Sequence, residues 1–131
     1  ATYTGGEDPA GVYFSRSTDG GRSFAGRRQV HPAAPYSDAP TMTVDGSGVV
    51  RVVWHAKTGG PRRLFTAVSV DGGETLSEPV ELATPAGTSA YPAAAAAGGT
   101  VWVTWQQENE EVFVLSLPSP GKPMAGASVD Q

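Results

Sequence analysis

Short β-branched and aromatic runs alternate along this chain with clusters of Gly, Pro, Asp and Ser. Val49-Val50-Arg51-Val52-Val53-Trp54 follows the turn residues Asp45-Gly46-Ser47-Gly48, and Val101-Trp102-Val103-Thr104-Trp105 follows Gly98-Gly99. Further runs are Gly11-Val12-Tyr13-Phe14-Ser15, Leu64-Phe65-Thr66-Ala67-Val68 and Val112-Phe113-Val114-Leu115. Such side chains fit a pleated, half-buried surface, so each run reads as a strand. No window places apolar residues at i, i+3, i+4 and i+7 between helix caps. The alanine run 93–97 favours helix by propensity alone. Pro92 and Gly98-Gly99 bracket it, however, and it reads as a strand of small residues under a close backbone approach. Short strands with turns every 8–12 residues or so predict an all-β sandwich, barrel or propeller.

An internal repeat separates these choices. Ser17-Thr18-Asp19-Gly20-Gly21-Arg22-Ser23-Phe24 matches Ser69-Val70-Asp71-Gly72-Gly73-Glu74-Thr75-Leu76, 52 positions later. Pro40-Thr41-Met42-Thr43-Val44, leading to Trp54, matches Pro92-Ala93-Ala94-Ala95-Ala96, leading to Trp105, at offsets of 52 and 51. Two markers thus share one period and one phase. A period near 50 residues with about four short strands is the size of one propeller blade. Position 2 matches Trp54, so the chain opens within a unit. Val112-Phe113 matches Leu64-Phe65, and a third turn falls near Ser119-Pro120-Gly121, where the Asp and the first Gly are gone. The chain reads as about two and a half units: residues 1–36 end one, 37–88 form a full one, and 89–131 form a third, decayed copy.

Composition narrows the function classes. Seventeen Gly and 11 Pro in 131 residues make about a fifth of the chain, against roughly 12% on average, in keeping with frequent turns. The net charge of −4 argues against a nucleic-acid binder, which would carry a basic stripe. No run of about 18 apolar residues exists, so no membrane span is expected. The absence of cysteine removes thiolate nucleophiles, disulfides and cysteine metal sites.

In the repeated Ser-x-Asp-Gly-Gly turn, a short carboxylate can accept backbone N–H bonds while glycine supplies positive φ. Ser17 and Ser69, with Ser23 and Thr75, can bond the turn from either side, and Phe24 and Leu76 can then drop an apolar side chain onto the sheet. A calcium loop is rejected, because carboxylates at alternate positions are missing. The motif resembles the Asp-box, or neuraminidase (BNR) repeat, of the sialidase-like β-propellers. Ser17, Asp19, Gly21, Ser23 and Phe24 fit its pattern, with serine at Ser23 in place of threonine. Ser69, Asp71, Gly73 and Thr75 fit it also, and Leu76 departs at the aromatic position. The resemblance implies four-stranded antiparallel blades and a structural role for the boxes on the outer rim. It also implies an exported protein, extracellular or periplasmic.

Sialidases of this superfamily carry an arginine triad, a Tyr/Glu nucleophilic pair and an Asp acid/base. The first arginine usually sits in an Arg-Ile-Pro motif, which this chain lacks, and such an enzyme needs about six blades. No catalytic residue, metal or cofactor is therefore assigned. Arg62 and Arg63, after Pro61, read as a solvated loop. Glu108, Glu110 and Glu111 resemble paired glycosidase carboxylates but read as a solvated hairpin tip. His31, in a Pro-rich linker, reads as a surface residue, and His55 as an exposed strand-end residue. Two histidines far apart in sequence make a weak metal case, and no Gly-x-Ser-x-Gly elbow exists. Alternation places Val50, Val52 and Trp54 on one face and Val49, Arg51, Val53 and His55 on the other. Trp54 and Trp105 read as packing between repeats. Trp102 breaks the pattern, since its counterpart is Arg51. Arg51, His55, Trp102 and Trp105 are the candidate contacts for a sugar or a protein.

Three functions compete. The first is a non-catalytic sialidase-like propeller segment acting as a scaffold or interaction module, with its exposed strand edges completed by another chain or a copy of itself. The second is a fragment of an exo-sialidase-type glycoside hydrolase with its catalytic residues on other blades. The third is a carbohydrate-binding module using Trp102, Trp105 and His55.

Overall fold

The computed structural model describes residues 2–5, 11–34 and 36–118. Their regular structure is all β: β1 (Thr2–Gly5), β2 (Gly11–Phe14), β3 (Arg28–Gln29), β4 (Tyr36–Val44), β5 (Val50–Lys57), β6 (Arg62–Ser69), β7 (Val80–Glu81), β8 (Ser89–Ala97), β9 (Thr100–Gln107) and β10 (Glu111–Pro118). The strands form three antiparallel sheets, ordered β1-β2-β3, β4-β5-β6-β7 and β10-β9-β8. The alanine run lies in β8, as its bracketing by Pro92 and the glycine pair predicts.

The second sheet is packed on both faces. Val50, Val52 and Trp54 join Val12, Phe14, Val30 and Phe65 in one core, toward the first sheet. Val53 and Leu64 join Val101, Val103 and Trp105 in another, toward the third. This explains why β5 reads as a nearly continuous apolar run rather than an alternation. The alanines of β8 present little bulk, so Ala94 and Ala96 pack closely against the second core.

The sheets repeat one another in detail. Trp54 lies opposite Phe65 across β5 and β6, and their rings stack at 6.3 Å. Trp105 lies opposite Phe113 across β9 and β10, and those rings stack at 5.8 Å. In the first sheet Tyr13 lies opposite Tyr3, so register makes Tyr3, not position 2, the counterpart of Trp54. Both β4 and β8 carry a bulge, between Asp38 and Thr41 and between Ala90 and Ala93. Each centres on a non-glycine residue with positive φ, Ala39 at 52° and Tyr91 at 55°. A bulge at matching positions redirects each strand identically and belongs to the repeat. The third repeated turn, near Ser119-Pro120-Gly121, lies outside the described residues.

Candidate interaction surface

The two repeated turns have one geometry. Asp19 Oδ1 accepts from the Ser23 backbone N–H at 2.9 Å, and Oδ2 from the Ser23 hydroxyl at 2.5 Å. Asp71 does the same with Thr75, at 2.9 and 2.5 Å. Ser17 and Ser69 accept from the N–H of Gly21 and Gly73, at 2.9 and 2.8 Å, and donate to their aspartates. These bonds favour the charged carboxylate. Those from Ser23, then Ser17, lower the Asp19 pKa to about 2; those from Thr75, then Ser69, lower that of Asp71 further below the usual carboxylate range.

The turns differ in their surroundings. Ser69 and Gly73 are buried, and Leu76 packs onto the core between the first and second sheets. Arg28 Nη2 donates to the Gly73 carbonyl at 2.7 Å, and Nη1 to that of Glu74. Arg16 pairs with Glu74 at 3.5 Å. Phe24, by contrast, is exposed. The expectation that both terminal apolar residues drop onto the sheet is therefore corrected for Phe24: the described residues place no neighbouring sheet on its side.

Both histidines are buried, which corrects their reading as surface residues. His31 is 8% exposed and His55 1%. His31 Nδ1 accepts from Trp54 Nε1–H at 3.3 Å, and its ring stands edge-on to Phe65 at 4.6 Å. His55 Nδ1 accepts from the Tyr91 N–H at 3.0 Å, so it ties β5 to the bulge of β8. Burial lowers both pKa values, and the nearby Arg62 charge lowers that of His55 further while Asp38 opposes it. Among the described residues no group of three or more His, Cys, Asp or Glu could hold a metal ion.

Arg63 is also corrected. It lies within β6, which Arg62 starts, rather than in a solvated loop. Its guanidinium donates to the carbonyls of Thr84, Pro85 and Gly87 at 3.0, 2.6 and 2.7 Å, and pairs with Glu81 at 3.2 Å. Gln107 holds the same loop, donating to the Ala86 carbonyl at 2.9 Å and accepting from Trp105 Nε1–H at 3.0 Å. Trp105 is thus engaged on both sides and buried. Sequence reasoning missed Gln107; its signal was the i, i+2 spacing that puts it on the Trp105 face.

Arg51 is buried as well. Its Nη1 donates to Thr66 Oγ1 at 3.3 Å and its Nη2 to the Pro118 carbonyl at 3.2 Å. Burial lowers its pKa, partly offset by the Asp45 charge. The structure therefore does not bring Arg51, His55, Trp102 and Trp105 together on one open surface. Only Trp102 is open, at 48%.

Trp102 lies on the face of the third sheet that points away from the second. Val101, Val103 and Trp105 of β9 and Phe113, Leu115 and Leu117 of β10 face the second core. Alternation turns Trp102, Thr104, Val112 and Val114 the other way. Val112 and Val114 are 75% and 60% exposed. The corresponding positions in the second sheet are Arg51, Leu64 and Thr66, all buried against the third sheet or its edge.

This stack of twisted antiparallel sheets is similar to a solved enzyme structure, the Hadza microbial sialidase Hz136. The fold is sialidase-like. The two superpose with a TM-score of 0.61 at 16% identity, over 86% of this chain. The chain spans 29% of that sialidase's length. No protein-family model and no curated protein matches this sequence.

Proposed function

We propose that this chain is a non-catalytic segment of a sialidase-like β-propeller, acting as a scaffold or interaction module, with Asp-box turns as its rim joints. Another sheet, from a second copy or a partner chain, completes it on the Trp102 face. The observation that carries this reading is that open face. Trp102, Val112 and Val114 occupy positions whose counterparts in the second sheet are covered by the next sheet. A contiguous apolar surface of this kind marks an association site. The histidines and Arg51, the groups best suited to chemistry, are bound up inside the sheets. Carbohydrate is a candidate ligand at the rim of the same face, where Trp102 offers a stacking surface.

Light scattering on the native particle tests this. A mass of two chains or a defined hetero-complex is expected, and Trp102→Glu should return the 13.5 kDa monomer. A wild-type monomer at all concentrations would overturn completion between chains.

A second reading, a fragment of an exo-sialidase-type glycoside hydrolase, is favoured by the likeness to only 29% of a sialidase chain. It requires an Arg-Ile-Pro motif and further boxes encoded beside these 131 residues. Reading the flanking coding sequence decides it.

A further inference from the structure

The joint between the first and second sheets shows how one sheet seats on the next. The turn after β6 leans back onto the first sheet. Gly73 lies so close to the Phe14 ring that a Cβ there would come within 3.1 Å of it. Leu76 packs onto the core that holds Val12 and Phe14, and Glu74 pairs with Arg16 at 3.5 Å. The joint thus has two halves. One is a sheet face, Val12 and Phe14 with Arg16 beside them. The other is a repeated turn, with Gly73, Glu74 and Leu76.

Among the described residues each half recurs once without its complement. The 52-residue period takes Gly73, Glu74 and Leu76 back to Gly21, Arg22 and Phe24 in the first turn. There a Cβ at Gly21 meets open space, and Phe24 is 55% exposed. The sheet-face half recurs at the other end of the stack. Tyr13, Phe65 and Phe113 hold equivalent places, opposite Tyr3, Trp54 and Trp105 across their strand pairs. Val12 and Phe14 therefore correspond to Leu64 and Thr66 in the second sheet, which are buried, and to Val112 and Val114 in the third, which are exposed. Arg16 corresponds to Ser116 by the same register.

We propose that the chain associates head to tail with a second copy of itself: the Phe24 turn of one copy seats on the Val112, Val114 and Trp102 face of the next. This rests on the association role proposed above for the Trp102 face, and it names the surface that covers it. The two halves match in volume. Phe24 is larger than its counterpart Leu76, and the face it meets carries Val114 where the first sheet carries the larger Phe14. They match in charge as well. Arg22 stands where Glu74 stands, and the arginine that Glu74 meets is replaced by Ser116, so the reversed charge meets a hydroxyl acceptor rather than a like charge. The ends of the stack also differ in sign. Arg22, Arg27 and Arg28 lie along the first turn and the start of β3, and Glu108, Glu110 and Glu111 lie at the tip of the β9–β10 hairpin. Like ends repel and unlike ends attract, which favours head to tail over face to face. Contacts between unlike ends close into a ring where the rotation allows it, and two copies then share two such joints.

Mixing of full-length variants tests this. Phe24→Glu, on an exposed side chain, should give a monomer by light scattering, as Trp102→Glu does. The two variants mixed should recover a two-chain particle, because the Phe24 turn of one and the Trp102 face of the other are intact. A Phe24→Glu chain that still pairs would overturn this inference and leave the Trp102 face as an association site. A wild-type monomer would overturn both. The chain has no cysteine, so thiol cross-linking gives an independent readout in otherwise native chains. Arg22→Cys and Ser116→Cys stand at the places of the Glu74–Arg16 pair. With a short thiol-reactive linker the unlike chains should join at least about tenfold above random pairing, since docking raises the effective concentration of the two thiols. Ser116→Cys joining mainly to itself would show a face-to-face contact and overturn the head-to-tail arrangement.

Discussion

The indole N–H of Trp54 donates to Nδ1 of His31 at 3.3 Å, which requires that nitrogen to be an unprotonated acceptor. Protonation would set two donors against each other inside the core between the first and second sheets. In the third sheet the equivalent indole, Trp105, donates instead to the Gln107 side-chain carbonyl, which does not titrate in this range.

Acid should therefore weaken the fold before the carboxylates titrate. Burial lowers the pKa of both His31 and His55 in the folded state. Their contribution is complete above about 6.5, the value in an unfolded chain. It falls as pH drops through that value toward the lowered folded one, because the unfolded chain binds more protons. Thermal melts across this range should show a decline that His31→Gln reduces. A wild-type melting temperature that stays flat there would refute it.

The second repeated turn should matter more than the first. Gly21 and Gly73 have nearly the same φ, 88° and 89°. A Cβ at Gly21 meets open space, whereas at Gly73 it comes within 3.1 Å of the Phe14 ring. Gly21→Ala should cost about 1–2 kcal/mol for the left-handed backbone, and Gly73→Ala more, by denaturant titration. Equal losses would mean that the turn is not wedged between the sheets.

The paired aspartates should follow the same order. Asp71→Ala should lower the melting temperature more than Asp19→Ala, since only the second turn carries a side chain, Leu76, into the core. Each aspartate's pKa is lowered, so its contribution is present above the unfolded value near 3.9. For Asp19 it is lost as pH falls toward the folded value of about 2. Calorimetry of the two variants checks the ranking, which a larger effect at Asp19 would reverse.

Arg63→Lys should destabilise the chain by about 2 kcal/mol, because one ammonium cannot satisfy three carbonyls and a carboxylate held by a planar fork. The loss should be local first. Amide exchange should rise around Thr88 and Ser89, and protection unchanged from wild type would show that Gln107 holds the loop alone.

These sites show what was legible in the chain. The 52-residue spacing of Asp19 and Asp71 and the Pro-to-Trp intervals were enough for all-β sheets in repeat. Turn chemistry and β-branched runs act through near neighbours. A repeat, moreover, states its period without reference to contacts. Strand alternation likewise sorted Val50, Val52 and Trp54 from Val53 and His55.

What alternation could not say was which faces are covered. His55 and Arg51 lie on the face of β5 that the third sheet buries, while Trp102, the counterpart of Arg51 one repeat later, stays open. Coverage depends on a neighbour tens of residues away, as do the partners of His31 and Arg63, which join positions 23 and 21–24 residues apart. The sequence by itself determined the local conformation and the repeat, because both are set by short-range sterics and hydrogen bonding. Only the tertiary structure decided which polar side chains are clasps and which surface remains to be met, because burial is a property of the stacked sheets.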